Sequence, residues 1–104
     1  MTLHTLSARE LAAGLAAGEF SSRELTGAFL ARIERLNPTL NALITVTADR
    51  AMDQAEAADR RRAAGAAGPL TGLPVLHKDL FCTEGVLTSC GSKMLANFIA
   101  PYAA

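Results

Sequence analysis

The chain has 104 residues, and its ten basic and ten acidic side chains leave a formal net charge of zero. This length bounds it to at most one domain, and the charge balance removes the general electrostatic case for nucleic-acid or membrane attraction. Half of the residues are hydrophobic, but only 5% are aromatic and none is tryptophan, so the core has few large side chains to draw on and stability is expected to be marginal. No apolar run approaches the roughly 18 residues that span a bilayer, and Met1-Thr2-Leu3-His4 lacks the basic-then-apolar pattern of a signal peptide. The expected compartment is the cytosol.

The first two predicted helices begin with the same device. In Leu6-Ser7-Ala8-Arg9-Glu10-Leu11 and in Phe20-Ser21-Ser22-Arg23-Glu24-Leu25, a serine stands at the N-cap, a glutamate three residues on, and an apolar pair brackets them. This is a capping box with a hydrophobic staple, which satisfies amide donors that have no partner inside the helix. Helices are predicted over Ser7–Ala17 and Ser22–Leu36. Gly18 closes the first in the left-handed conformation that costs least without a Cβ. The second carries Leu25, Phe29, Ile33 and Leu36 on one stripe, and Asn37-Pro38 is read as its stop, because proline disfavours the α region for the residue before it.

The Ile, Thr and Val content of Ala42–Val46 favours a short strand. A third helix is predicted over Ala48–Ala64, capped by Thr47. Its acids, Asp49 and Asp53, lie near the start, and Arg60, Arg61 and Arg62 lie at the end. That order complements the helix macrodipole, and Glu56 with Arg60 adds an i,i+4 pair. An RNA contact by the arginine triplet is the alternative, and the net charge does not support it. Gly65 to Gly72 is the clearest turn or linker, and a second strand is predicted over Leu73–Leu80. A short helix is expected from Ser92 to Asn97.

The chemistry concentrates in Pro74-Val75-Leu76-His77-Lys78-Asp79-Leu80. Strand alternation puts Lys78 between Leu76 and Leu80 on one face, opposite Val75, His77 and Asp79. Such a lysine either snorkels its ammonium to water or is desolvated. An ordinary lysine has a pKa of about 10.4, so only about one in a few thousand is neutral at pH 7, whereas burial lowers that value by up to roughly 3 to 5 units. Only the second outcome makes it a base. The downstream hydroxyls Thr83, Thr88, Ser89 and Ser92 stand in no glycine-framed nucleophile elbow, and the residues alone favour a structural Lys78. Ser92 reads better as a helix cap than as a nucleophile. Asp79 is expected to hydrogen-bond nearby backbone or polar groups, and His77 to be a packed or surface imidazole. Cys82 and Cys90 fit neither a CxxC pair nor a zinc site, and read as two small buried thiols.

The run from Gly68 to Tyr102, GPLTGLPVLHKDLFCTEGVLTSCGSKMLANFIAPY, resembles the amidase-signature family. The Gly72-Leu73-Pro74 turn, the Lys78-Asp79 pair, Gly85, Thr88 and the Cys90-Gly91-Ser92-Lys93-Met94-Leu95 segment carry the likeness, which extends upstream over nearly the whole chain. The last of these segments looks most like the branch that serves tRNA-dependent amidotransferases. The resemblance implies an α/β fold, of which residues 1–104 are the amino-terminal portion. It implies that Lys78 is the base of a Ser–cis-Ser–Lys triad, in which one serine relays the proton and the other attacks an amide carbonyl. It also implies glutamine as the ammonia source, B and C partner subunits, tRNA engaged through the complex, and no cofactor in this chain, ATP and Mg being used by the partner subunit. Both family serines lie beyond Ala104, so this polypeptide alone is expected to be inactive. Two other readings stay open: a piece of a hydrolase of small amides, and a helical interaction module without catalysis.

Overall fold

Serines followed three residues later by glutamates start two helices where the sequence places them. The computed structural model describes residues 2–104, and its helices are α1 (Ala8–Ala17), α2 (Ser22–Leu40) and α3 (Ala48–Ala63), with 3₁₀ turns at Leu3–Thr5 and Lys93–Leu95. Residues up to Ala42 together with Ala48–Pro74 form one compact unit, and Leu43–Thr47 with Val75–Ala104 form a second.

In the first unit, α1 begins with the Ser7 hydroxyl accepting from the Glu10 amide and ends on Gly18 at φ 73°. Its capping box is half formed, since the Glu10 carboxylate takes the Ser7 hydroxyl. The box of α2 is complete: Ser21 Oγ accepts from the Glu24 amide at 3.0 Å, and Glu24 Oε1 from the Ser21 amide at 3.2 Å. Leu11, Leu15, Phe20 and Leu25 make the buried core, with Leu3, Leu6, Phe29 and Leu73 packed around it. Phe20 and Leu25 are the staple pair, so the motif that starts α2 also supplies half of this core. Gly14 is small for a reason, since a Cβ there would lie 2.5 Å from the Phe20 ring.

Helix α2 does not stop at Asn37-Pro38; it runs on to Leu40 and ends on Asn41 at φ 50°, whose amide donates to the Asn37 carbonyl at 2.7 Å. Proline's pressure on the preceding residue is a bias, and in the last turn the missing N–H forfeits a single helical bond. A left-handed Asn41 closes the helix instead.

Helix α3 docks on α2 mainly through polar groups. Ala55 is its buried residue, and Asp59 and Arg62, at i+4 and i+7 from it, share its face. Asp59 Oδ1 accepts from the Ser22 amide at 2.7 Å and Oδ2 from the Arg23 amide at 3.1 Å. With Ser21 and Glu24, this satisfies every amide from Ser21 to Glu24 at the start of α2 and sets a carboxylate against its positive end. Glu56 pairs with Arg23 at 2.6 Å, and not with Arg60 as the i,i+4 spacing suggested. Arg62 donates to the Thr71 carbonyl at 3.0 Å. One of the three arginines therefore holds the following turn, while Arg60 and Arg61 are exposed.

That turn is fixed at Gly72, whose φ of 91° suits glycine and whose carbonyl accepts from Ser22 Oγ at 2.8 Å. A Cβ there would meet Ser22 Cβ at 3.1 Å. Asp59→Ala is expected to cost about 2 kcal/mol, because two helix-terminal donors lose a charged acceptor. Asp59→Asn should cost less. Urea midpoints of the two variants against wild type check the order.

The second unit corrects the α/β expectation for this stretch. Neither Ala42–Val46 nor Leu73–Leu80 is a strand, and among the described residues the β pairing is a single antiparallel bridge, Leu87 with Ile99. Leu43, Ile44, Val46 and the run from Leu73 to Lys78 have the composition of strands, but a strand exists only through a neighbour's ladder, and residues 2–104 supply none for them. Around the bridge, the Thr88 amide donates to Phe98 O at 2.9 Å, Gly85 to Ala100 O at 2.8 Å and Ala100 to Val86 O at 3.1 Å. Ala100, Thr88 and Ser89 are buried here, whereas Ile44, Val75, Leu76, Met94 and Ile99 are exposed. This unit is ordered by hydrogen bonds around small and polar residues, and has no large buried side chain among those described. The short helix expected from Ser92 to Asn97 is the 3₁₀ turn Lys93–Leu95, with Ser92 Oγ accepting from the Met94 amide as its cap.

Candidate active site segment

Lys78 lies at the end of a stretch from Leu73 that has no regular secondary structure, where the chain turns: its carbonyl accepts from the Phe81 amide at 3.0 Å. Without a ladder, alternation buries neither face. His77, Lys78 and Leu80 are exposed, and only Asp79 is half-buried. Of the two outcomes left open for Lys78, these residues show the exposed ammonium and not the desolvated one.

Asp79 is the best-connected side chain of the segment. Its Oδ1 accepts from the Ser89 amide at 3.1 Å, and its Oδ2 accepts from the Ser89 hydroxyl and, at 3.4 Å, from the Gly91 amide. Its own carbonyl accepts from the Cys90 amide at 3.0 Å. Cys90 and Gly91 have φ values of 54° and 69°, and their amides reach different acceptors of Asp79, its carbonyl and its carboxylate. The Ser89 and Gly91 amides are the backbone donors that meet the anionic group. The Ser89 hydroxyl bond, aided by the amides, holds the Asp79 carboxyl below its ordinary value, against a smaller opposing effect of burial.

The sign of that shift gives a pH test. A depressed folded-state pKa means that the clasp's contribution is fully present above the unfolded carboxylate value of about 3.9 and is lost as pH falls through the lower folded value. The Ser89 and Gly91 amide resonances are expected to follow a single Asp79 transition whose midpoint lies below about 3.9. An Asp79 midpoint above that value would contradict the clasp.

The candidate hydroxyls are mostly committed. Thr88 Oγ1 donates to Val86 O, Ser89 Oγ to Asp79, and Ser92 Oγ accepts from an amide. Ser89 beside a carboxylate is no activated nucleophile, because an acceptor with a depressed pKa is a poor base. Cys82 is half-buried and Cys90 exposed, both as free thiols, which corrects the reading of two buried ones. Among the described residues, no group of three His, Cys, Asp or Glu side chains is placed to hold a metal ion, and no helix is long and apolar enough to cross a membrane. The residue that the sequence reading missed is Asp59, whose partners lie 36 and 37 positions away. A lone acid on an otherwise alanine-rich face was the available signal.

The lysine–aspartate pair, the glycine turn before it and the loop after it lie within the stretch that a family model matches. A family model described as Amidase matches residues 24–104. The chain belongs to the amidase family. Within that family it is 64% identical over 100 residues to the A subunit of the glutamyl-tRNA(Gln) amidotransferase of Alkalilimnicola ehrlichii, covering 96% of this chain and 21% of that protein. It is 63% identical to the protein of the same name from Pseudomonas entomophila, with the same coverage, and 60% identical over 107 residues to that of Alcanivorax borkumensis. The chain thus spans about a fifth of the length of the curated relatives it matches. Among solved structures it superposes with a TM-score of 0.89 and 38% identity on a chain from a vestigial protein complex described as revealing the evolutionary origins of an s-triazine catabolic enzyme. That match covers 95% of this chain and 22% of the other.

Proposed function

We propose that residues 1–104 are the amino-terminal part of one amidase-signature domain. In the complete protein this domain would be the glutamine-hydrolysing, ammonia-supplying component of a tRNA-dependent amidotransferase that forms Gln-tRNA(Gln) or Asn-tRNA(Asn). The observation that carries this reading is the 60–64% identity to A subunits over nearly the whole chain, well above the 38% to the s-triazine-linked complex. Lys78 is assigned as the base. It takes a proton through a first serine while a second attacks the glutamine amide carbonyl. The carbonyl carbon–nitrogen bond then breaks as the proton held by Lys78 returns through the first serine to the leaving nitrogen, ammonia departs, and water releases glutamate from the acyl-enzyme. Both serines belong to parts of the domain outside these 104 residues. B and C subunits are the partners. The chain itself carries no cofactor, ATP and Mg are used by the partner, and tRNA is engaged through the complex in the cytoplasm.

A hydrolase of small amides is the second reading, favoured only by the likeness to the s-triazine-linked chain. Expression of the complete protein with its B-type and C-type partners decides between the two. The expected result is co-purification and glutamine-dependent amidation of misacylated tRNA. A protein that hydrolyses simple amides, ignores glutamine and binds no such partner would overturn the assignment. The 104-residue chain alone should release no ammonia from glutamine, since it holds a base without its nucleophile.

A further inference from the structure

We propose that Asp79 is a positioning residue for Lys78, acting through the clasp it makes with Ser89, Cys90 and Gly91; the proposal rests on the assignment of Lys78 as the base. Among the described residues, the Lys78 ammonium has no hydrogen bond or ion pair, and the residues on either side of the Lys78-Asp79 pair, His77 and Leu80, are exposed. Among the described residues, no ladder fixes the stretch that leads to it. What holds its backbone is local. The Phe81 amide grips the Lys78 carbonyl, and four hydrogen bonds grip the next residue: three to the Asp79 carboxylate and one to its carbonyl.

The loop on the other side of those bonds is itself defined. Thr88 and Ser89 are buried, Thr88 is hydrogen-bonded to Phe98 across the bridge, and Cys90 and Gly91 adopt left-handed conformations. Asp79 thus ties the Lys78 peptide to the hydrogen-bonded frame around the Leu87–Ile99 bridge. A base must meet the proton it removes within hydrogen-bond reach, and a misplacement of about 1 Å costs as much as about 100-fold in rate. The Asp79 carboxylate has its acceptor sites taken by the loop and a depressed pKa, so it is not poised to exchange a proton with substrate. Its effect on the reaction passes through the position of Lys78.

The test uses the complete protein in its complex, with Asp79→Ala, Asp79→Asn, Ser89→Ala, the double variant Asp79→Ala/Ser89→Ala, and Lys78→Met as the reference. Asp79→Ala is expected to lower kcat for glutamine hydrolysis about 10- to 100-fold while KM changes less than about threefold. Asp79→Asn, which keeps one acceptor oxygen for the Ser89 amide, should recover part of the loss. Ser89→Ala should act in the same direction but less, and the double variant should be no worse than Asp79→Ala, because both remove one connection. Wild-type kcat in both Asp79→Ala and Ser89→Ala overturns the proposal, as does a loss expressed equally in KM. Should Asp79→Ala fail to fold, Ser89→Ala decides alone, with undiminished kcat counting against the clasp. An active Lys78→Met enzyme would instead overturn the base assignment, which separates the failure of that reading from the failure of this one.

Discussion

Lys78→Met in the complete protein is expected to reduce glutamine hydrolysis by about 10³-fold or more, because the only group assigned to remove the serine proton is gone. Lys78→Arg should do the same. A guanidinium keeps the charge and much of the length but does not deprotonate in the working range, so it separates a base from a fixed positive charge. Neither change should disturb the fold. Within residues 2–104 the side chain is exposed and makes no hydrogen bond, so nothing in this part of the domain packs on its ammonium. The measurement is ammonia release under saturating glutamine, set beside the thermal midpoint and partner binding of the same preparations. An active Arg variant with an inactive Met variant would mean that Lys78 supplies charge, and the proton route would have to be redrawn.

How far the sequence revealed this molecule depended on how far apart the interacting groups lie. Ser7 with Glu10 and Ser21 with Glu24 are three residues apart, so both helix starts were legible, although only the box of α2 is complete, and so was Gly18 at the end of α1. The end of α2 was misplaced because Pro38 speaks against a helix only statistically, while Asn41 fixes the actual end by a left-handed turn. The two expected strands failed for a different reason. Leu43, Ile44 and Val46, and Val75 and Leu76, have strand composition, but pairing is a property of two segments, and no second segment within residues 2–104 pairs with them. Asp59 was missed because its one local mark, an acid on an alanine-rich face, does not say that it caps another helix.

The site shows the same division. Asp79 was expected to hydrogen-bond nearby backbone or polar groups, and it does, ten to twelve residues on, at Ser89 and Gly91. Lys78 is another matter. Its environment here is open, so alternation between leucines gave a reason for burial that this segment alone does not realise. The role proposed for it comes from the family to which the chain belongs. The geometry adds the clasp beside it, which resemblance alone did not suggest.

Leu25→Ala is expected to have the largest effect on stability, about 2–5 kcal/mol. Leu25 is fully buried and is one of four side chains that make the core of the first unit. It is also half of the staple with Phe20, so its loss opens a cavity and loosens the entry to α2. For about 100 residues the total stability is on the order of 5–15 kcal/mol, and a chain poor in large buried groups belongs near the lower end. The variant should therefore lose cooperative unfolding near 37 °C, seen as a flattened helical CD melt. Leu76→Ser, by contrast, exposes nothing that is not already exposed, since Leu76 is 74% accessible, and should leave the melt within about 0.5 kcal/mol of wild type. Hydrogen exchange should divide the chain in the same way. Amides of α1 and α2 are protected by packed leucines, whereas those from Val75 to Leu80 have neither ladder nor core and should exchange first. If Leu76→Ser proved as damaging as Leu25→Ala, the second unit would have a packed apolar core of its own, and its ordering by hydrogen bonds around Asp79, Thr88 and Ser89 would no longer account for it.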